Sequence, residues 1–327
     1  MGLKAAVIGL GIGRVHAERL ASIAGVELVA VADINEALAS QVAASCGARA
    51  YGEGAGLLAK ERLDFVSICT NPATHLDLTR RAAQRGMHVL CEKPMAPTLD
   101  ACDAMLEACR KAGVRLMIAH KKRFDPAYCL IKEKSGGEFG PVRWATTKYA
   151  IGRVRKPWFW AEDDGGGPLH ENAVHMMDLM RFLIGEVDCV YAAGGNFFNA
   201  DYPGQVDAAV ATLRFKSGGV AAIGAGQASE WGFATESVTL SHTNAVVEVN
   251  GPLDGPYRLR YVLKSAPGSV VEKDFSGLDP FAAELQHFVD CIREGKEPSV
   301  PGEEGRASVA LCLAVKKSVR SGQAVTL

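Results

Sequence analysis

At 327 residues, with 48% hydrophobic and 22% charged side chains, the chain has the composition of a folded globular protein of about two domains. Lys plus Arg (36) nearly cancels Asp plus Glu (37), which excludes an overall field of the kind that gathers nucleic acid. No stretch reaches the roughly 18 apolar residues of a membrane span, and Met1 runs straight into a strand pattern, so a cytoplasmic protein with no membrane or nucleic-acid partner is expected.

The first elements alternate strictly. Lys4–Ile8, Glu27–Ala32, Phe65–Cys69, His88–Cys91 and Arg115–Ala119 read as strands, with helices predicted near 14–24, 35–46, 74–85 and 98–112. That alternation predicts right-handed crossovers and an α/β fold: a Rossmann-type, doubly wound parallel sheet over residues 1–120, with its chemistry at the carboxyl ends of the strands. From 121 to 327 the grammar changes. A helical stretch ending at Gly185 is followed by extended runs at 187–198, 206–215, 219–227, 236–241, 244–249, 257–263 and 269–275, and helices near 279–294 and 303–320 close the chain. Strands that follow one another without helices predict an α+β domain with a large, mostly antiparallel open sheet. The nine cysteines form no C-x-x-C pair and read as buried free thiols, with no metal site.

Gly9-Leu10-Gly11-Ile12-Gly13 ends the first strand and opens the first helix, the context in which a tight glycine turn and a helix N-terminus hold a pyrophosphate. The third glycine, Gly13, falls one residue early, and Arg14 stands in its place, which predicts an Arg14 side chain beside the cofactor. Asp33 ends the second strand, where a carboxylate accepts from both ribose hydroxyls and repels a 2′-phosphate, so NAD is favoured over NADP. Its alternative is as cap of the following helix.

Glu92-Lys93-Pro94 follows the fourth predicted strand and presents a carboxylate, an ammonium and a rigid turn at the carboxyl edge, although a surface turn has the same composition. The richest segment is Gly165-Gly166-Gly167 through Asp178. On one continuous helix Glu171, His175 and Asp178 at i, i+4 and i+7 share a face and set an imidazole between two carboxylates, a pattern suited to acid/base work or to a satisfied core histidine. His170 and His175 are five apart, which excludes the H-E-x-x-H zinc spacing. Lys121 and Lys122 read as solvated charges, while Arg123 stays open between surface and substrate. Tyr149, Trp158 and Trp160 read equally as sugar-stacking rings or core, and Tyr128 is similarly open.

Taken together these pieces resemble the glucose-fructose oxidoreductase / inositol dehydrogenase / rhizopine-catabolism (Gfo/Idh/MocA) family over essentially the whole chain. The matching segments are Gly9-Leu10-Gly11 with Arg14 and His16-Ala17; Asn71-Pro72 with His75; Glu92-Lys93-Pro94; Arg123 to Ala127; Gly165 to Asp178; and Glu284, Phe288 and Glu294-Gly295 near the end. The resemblance implies an NAD(P)-dependent oxidoreductase that moves a hydride between a sugar or cyclitol carbinol and nicotinamide, and a homodimer or homotetramer built through the open sheet. It implies Lys93 as the lysine of catalysis, His175 as acid/base and Glu171 as its acidic partner. With the readings above, the candidate cofactor residues are Gly9, Gly11, Ile12, Gly13, Arg14, Asp33, Asn71, Pro72, His75, Glu92 and Lys93, and the candidate substrate residues are Arg123, Tyr149, Trp158 and Asp178. Glu171 where aspartate is usual, Ala173 where glycine is usual, and the shortened glycine loop are departures. A redox-neutral enzyme with tightly held NAD and a non-catalytic dinucleotide sensor are the alternatives.

Overall fold

The computed structural model describes residues 2–227 and 234–327, which form two compact units. The first holds six parallel strands: β1 (Leu3–Ile8), β2 (Val26–Ala32), β3 (Arg49–Tyr51), β4 (Phe65–Ile68), β5 (His88–Glu92) and β6 (Leu116–Ala119), in the order β3-β2-β1-β4-β5-β6. Helices α1 (Gly13–Leu20), α2 (Glu36–Cys46), α3 (Gly54–Lys60), α4 (Pro72–Gln84) and α5 (Leu99–Ala112) are interleaved. The winding reverses between β1 and β4, the switch point at which such sheets bind ligands. Local chemistry explains the boundaries: Asn35 accepts from Leu38 N–H to start α2, Thr98 accepts from Ala101 N–H to start α5, and Gly47 and Gly113 close both helices in the left-handed region. The short β3 and α3 were not predicted, being only three and seven residues long.

This unit is not contiguous in sequence. It takes in Met1–Lys121 and also Asp279–Ala307, so the predicted division at 120 and 121 needs correcting at its far end. The reason is packing: Phe288 meets Phe65 edge-on at 5.7 Å, Arg293 donates to Ala24 O, and Val300 O accepts from Ile118 N–H at 3.0 Å.

The second unit, Lys122–Leu278 with Ser308–Leu327, is built on a nine-stranded sheet. Its strands are β7 (Val142–Ala150), β8 (Val187–Gly195), β9 (Ala208–Phe215), β10 (Val220–Gly226), β11 (Thr235–His242), β12 (Ala245–Pro252), β13 (Arg258–Leu263), β14 (Val270–Asp274) and β15 (Val325–Thr326). They lie in the order β14-β13-β12-β11-β7-β10-β9-β8-β15, and only β7 and β10 pair in parallel. Helices α6 (Pro126–Ser135), α7 (Pro157–Trp160), α8 (Pro168–Glu171) and α9 (Val174–Ile184) come before most of the strands. Met176, Leu179, Met180 and Leu183 of α9 share one core with Ala145, Leu213, Ile223, Leu240 and Val247 of the sheet. The opposite sheet face is open, with Trp144 45% and Val210 60% exposed. Two helices remain: α10 (Pro280–Glu294), in the returning segment, and α11 (Gly302–Ser321), within which the unit boundary falls. Among the described residues no helix is long and apolar enough to cross a membrane.

All nine cysteines are free thiols, but Cys129 is exposed and Cys46 and Cys189 are half-buried, so the expectation of a buried set holds for six.

Candidate active site

The predicted site residues fall into two groups, one on each unit. On the first, the carboxyl edge carries the glycine turn. Gly9 has φ +86°, and a Cβ there would stand 2.6 Å from the Cys69 carbonyl oxygen, so no other residue fits. At Gly13 a Cβ would lie 2.9 Å from Cys69 Cβ and 3.0 Å from Val7 Cγ1; it therefore supplies the close helix-on-strand approach despite its early position. A Cβ on Gly11 would meet nothing within 4 Å, which leaves an open cradle over the start of α1. No acidic side chain sits in the first turn of α1 to compete with an anion for its unpaired N–H groups.

Asp33 accepts from Leu10 N–H at 2.7 Å and from Asn35 N–H at 2.8 Å, so its carboxylate ties the glycine turn to the end of β2. The cap of α2 is Asn35, which removes the capping alternative for Asp33. An open glycine cradle, a helix N-terminus and a half-exposed carboxylate at the switch point fit the pyrophosphate and ribose of a dinucleotide. Ile12 stands 41% exposed on this turn. Arg14 departs from expectation: its side chain is 59% exposed and leans along α1 to Glu18, 3.9 Å away, rather than back over the turn.

Asn71 and Pro72 open α4 at the end of β4. His75 is fully buried, with Nε2 3.0 Å from Thr70 O and Nδ1 3.2 Å from Met95 O; it braces the β4–α4 loop against the turn after β5, and burial lowers its pKa. It is a strut between two loops at the carboxyl edge of the sheet. Glu92 is likewise buried: its Oε2 accepts from Lys93 N–H at 3.0 Å, and its Oε1 lies 3.2 Å from Nε2 of the fully buried His16, whose Nδ1 meets Ser67 Oγ at 2.9 Å. Burial alone opposes both charges, but His16 holds the Glu92 carboxyl below its ordinary range, while Cys69 and Glu92 raise the imidazole well above its own. Lys93, half-buried, is thus mounted on a turn pinned by an ion pair that sequence spacing did not reveal.

On the second unit the expected continuous helix is broken. α8 ends at Glu171 and α9 starts at Val174; between them Ala173 N–H reaches back five residues to Pro168 O, and His175 N–H only three to Asn172 O. The 100° wheel behind the one-face argument therefore does not run from Glu171 to Asp178. Gly165 to Gly167 lead in: their N–H groups bond to the carbonyls of Trp158, Ala161 and Phe159, and a Cβ on Gly165 would meet Phe159 Cα at 2.5 Å. The buried Lys316 donates to Gly166 O at 2.9 Å and to Glu162 at 2.8 Å, which fixes the turn from α11.

His175 opens α9, 7% exposed, with the Tyr149 ring 6.0 Å from its imidazole. Asp178 lies three residues further along α9. It is 1% exposed and forms a bidentate pair with Arg123 (2.7 and 2.8 Å), while Ser308 Oγ donates to it at 2.9 Å. Arg123 and Asp178 thus pin α9. Trp158 is half-buried beneath Lys156, but Trp160 is core, stacked on Tyr202 at 4.5 Å with Nε1 bonded to Val154 O. Lys122, expected in solvent, is 3% exposed and paired to Glu236 at 2.5 Å. Charge composition alone does not say which member of Lys121-Lys122-Arg123 turns inward.

Residues 3–120 match the family model described as the oxidoreductase family, NAD-binding Rossmann fold, and residues 132–248 match the GFO/IDH/MocA C-terminal domain. The scyllo-inositol 2-dehydrogenase (NAD(+)) of Bacillus subtilis is 30% identical across 99% of this chain and 96% of its own. The chain belongs to the Gfo/Idh/MocA family. Other members that it resembles are the D-apiose dehydrogenase of Paraburkholderia graminis, 29% identical over 99% of this chain and 89% of its own, and the crystal structure of the aldose-aldose oxidoreductase from Caulobacter crescentus complexed with glycerol, with TM-score 0.88, 26% identity and complete coverage of both chains. The first unit is the family's NAD-binding Rossmann domain, and the open, mostly antiparallel sheet belongs to its C-terminal domain.

Proposed function

We propose that the protein is an NAD-dependent dehydrogenase of a sugar or cyclitol hydroxyl in which His175 moves the hydroxyl proton and Lys93 stabilises the alkoxide. The observation that carries the reading is the mounting of these two side chains. Lys93 stands at the carboxyl end of β5 on a turn held by buried Glu92, and His175 opens a helix pinned by Arg123 and Asp178. NAD, when bound, accepts the hydride from the carbinol carbon. Asp33 accepts from the adenosine ribose, and its charge disfavours a 2′-phosphate. Neutral His175 takes the proton in oxidation and returns it in reduction. The Lys93 ammonium supplies a fixed positive charge where oxyanion character develops, and Glu171, four residues before His175, is its acidic partner. Names of relatives, among them inositol 2-dehydrogenases and D-apiose dehydrogenase, support a polyhydroxylated substrate.

The test is an NAD-reduction assay over inositols, aldoses and anhydrosugars, repeated with NADP. His175→Ala lowers kcat on the responding substrate by about 10²–10⁴-fold, with NADH affinity unchanged. Near wild-type turnover in that variant would overturn the assignment. Retention of stoichiometric NAD through purification, with product formed and no net NADH, would place the protein instead among redox-neutral relatives.

The open face of the C-terminal sheet supports a homo-oligomer. Val246, Ser241, Trp144 and Val220 form one outward row in register, with Val210 and Tyr191 nearby on the same face. A Trp144→Glu, Val210→Glu variant that leaves the mass measured by light scattering unchanged would refute this face as the interface. Nine free thiols suit a cytoplasmic setting.

A further inference from the structure

The second unit buries a charged cluster of a kind that apolar side chains could replace in holding a fold, with Asp254 at its edge 3.8 Å from Lys122 Nζ. Lys122 Nζ lies 2.5 Å from Glu236 Oε2 and 3.0 Å from Tyr257 Oη; Tyr257 donates to the same carboxylate oxygen at 2.9 Å, and Tyr128 donates to Oε1 at 3.0 Å. None of these four side chains is more than 3% exposed. Removing a lysine and a glutamate from water costs more than their attraction returns unless the geometry is good and the remaining polar atoms are satisfied, and apolar residues of the same volume often hold a fold equally well.

What the cluster adjoins supplies a reason for it. Glu236 on β11 stands in register opposite Tyr149 on β7, and Lys122 Nζ lies 5.7 Å from the centroid of the Tyr149 ring, within cation–π range. The same ring has His175 as a neighbour, with centroids 6.0 Å apart and planes at 48°. The terminal torsion of a histidine has a broad minimum, so its packing neighbours set the aim of its ring nitrogens.

We propose that Tyr149 is a positioning residue for His175, and that the Lys122–Glu236 pair, closed by Tyr128 and Tyr257, holds the Tyr149 ring in the one orientation that aims the imidazole. This rests on the reading of His175 as the proton-transfer group. A displaced general base is costly even when it is chemically intact.

The experiment uses the full-length protein and two readouts. In steady-state kinetics Tyr149→Leu lowers kcat by about ten- to a hundredfold with KM for NAD unchanged, and Tyr149→Phe, which restores the ring, recovers at least about a third of the wild-type kcat. The double variant Lys122→Met, Glu236→Leu, which removes both charges of the pair together, lowers kcat about tenfold alone but little further in a Tyr149→Leu background, because both act through one ring. The second readout is the ¹⁵N NMR spectrum of labelled histidines, with the His175 signals identified by their loss in His175→Gln. Tyr149→Leu shifts them and Tyr149→Phe does not. A folded Tyr149→Leu with wild-type kcat and unshifted His175 signals, in a protein that His175→Ala inactivates, overturns the inference. Should Tyr149→Leu not fold, the charge-pair variant decides by the same two measurements. Normal turnover in His175→Ala would sink the role of His175 itself, while the NMR arm still shows whether Tyr149 orients the ring.

Discussion

Gly9 shows how much one backbone angle decides. At φ +86° an L side chain is strained, and here its Cβ would also strike the Cys69 carbonyl, so Gly9→Ala must move either the turn or β4. NADH fluorescence titration of that variant is expected to give at least about tenfold weaker binding, reflecting a displaced turn. Asp125 offers a pH test. It caps α6 by accepting from Ala127 N–H at 2.9 Å, and burial, opposed by that bond and by Lys122, raises its carboxyl from 3.8 to about 6. A raised folded-state pKa contributes stability below pH 3.8 that is lost as pH climbs through 6. Asparagine keeps the cap acceptor without the charge. Urea unfolding should therefore show wild type losing about 1 kcal/mol between pH 5 and 8 that Asp125→Asn does not lose. Equal pH slopes would refute it. Among single residues, Gly9 and Asp33 were legible because spacing from a strand end is local; the inward turn of Lys122 was not, because its partner Glu236 is 114 positions away.

At the scale of elements, the glycine that packs α1 on the sheet and the lysine that holds the glycine-rich turn carry the predictions. Gly13→Ala places a methyl 2.9 Å from Cys69 Cβ and pushes the helix off β1 and β4, an overpacking cost of about 1–3 kcal/mol measurable by denaturant unfolding. Lys316→Met keeps the buried stem but leaves Gly166 O without its donor, a loss of about 1–3 kcal/mol; an unchanged melting temperature would show the turn to be held otherwise. Extended runs with clear alternation, such as Ala208–Phe215, were readable as strands. β7 was not, although it lies mid-sheet, because Thr146, Thr147 and Lys148 blur its apolar period. The break between α8 and α9 was equally hidden: Glu171 and His175 keep helical spacing in sequence while the hydrogen bonds between them change length.

The whole molecule is organised by a segment that comes back. Leu285, Phe288 and Val289 of α10 are fully buried in the first unit, with Phe288 against Phe65. A polypeptide ending at Lys121 is therefore expected to bind a hydrophobic dye and to unfold at lower urea than the same residues joined to 279–307; equal midpoints would show the return to be dispensable. The sequence by itself determined the strand–helix alternation, the glycine turn with Asp33, Lys93 at a strand end and the family, all carried by neighbours along the chain or by ordered motifs. Only the tertiary structure decided that 279–307 belongs to the first unit, that Asp178 is taken by Arg123, and that Lys122 lies buried behind Tyr149. Those outcomes depend on burial and ion pairing between residues distant in sequence, and periodicity and spacing record only what is near.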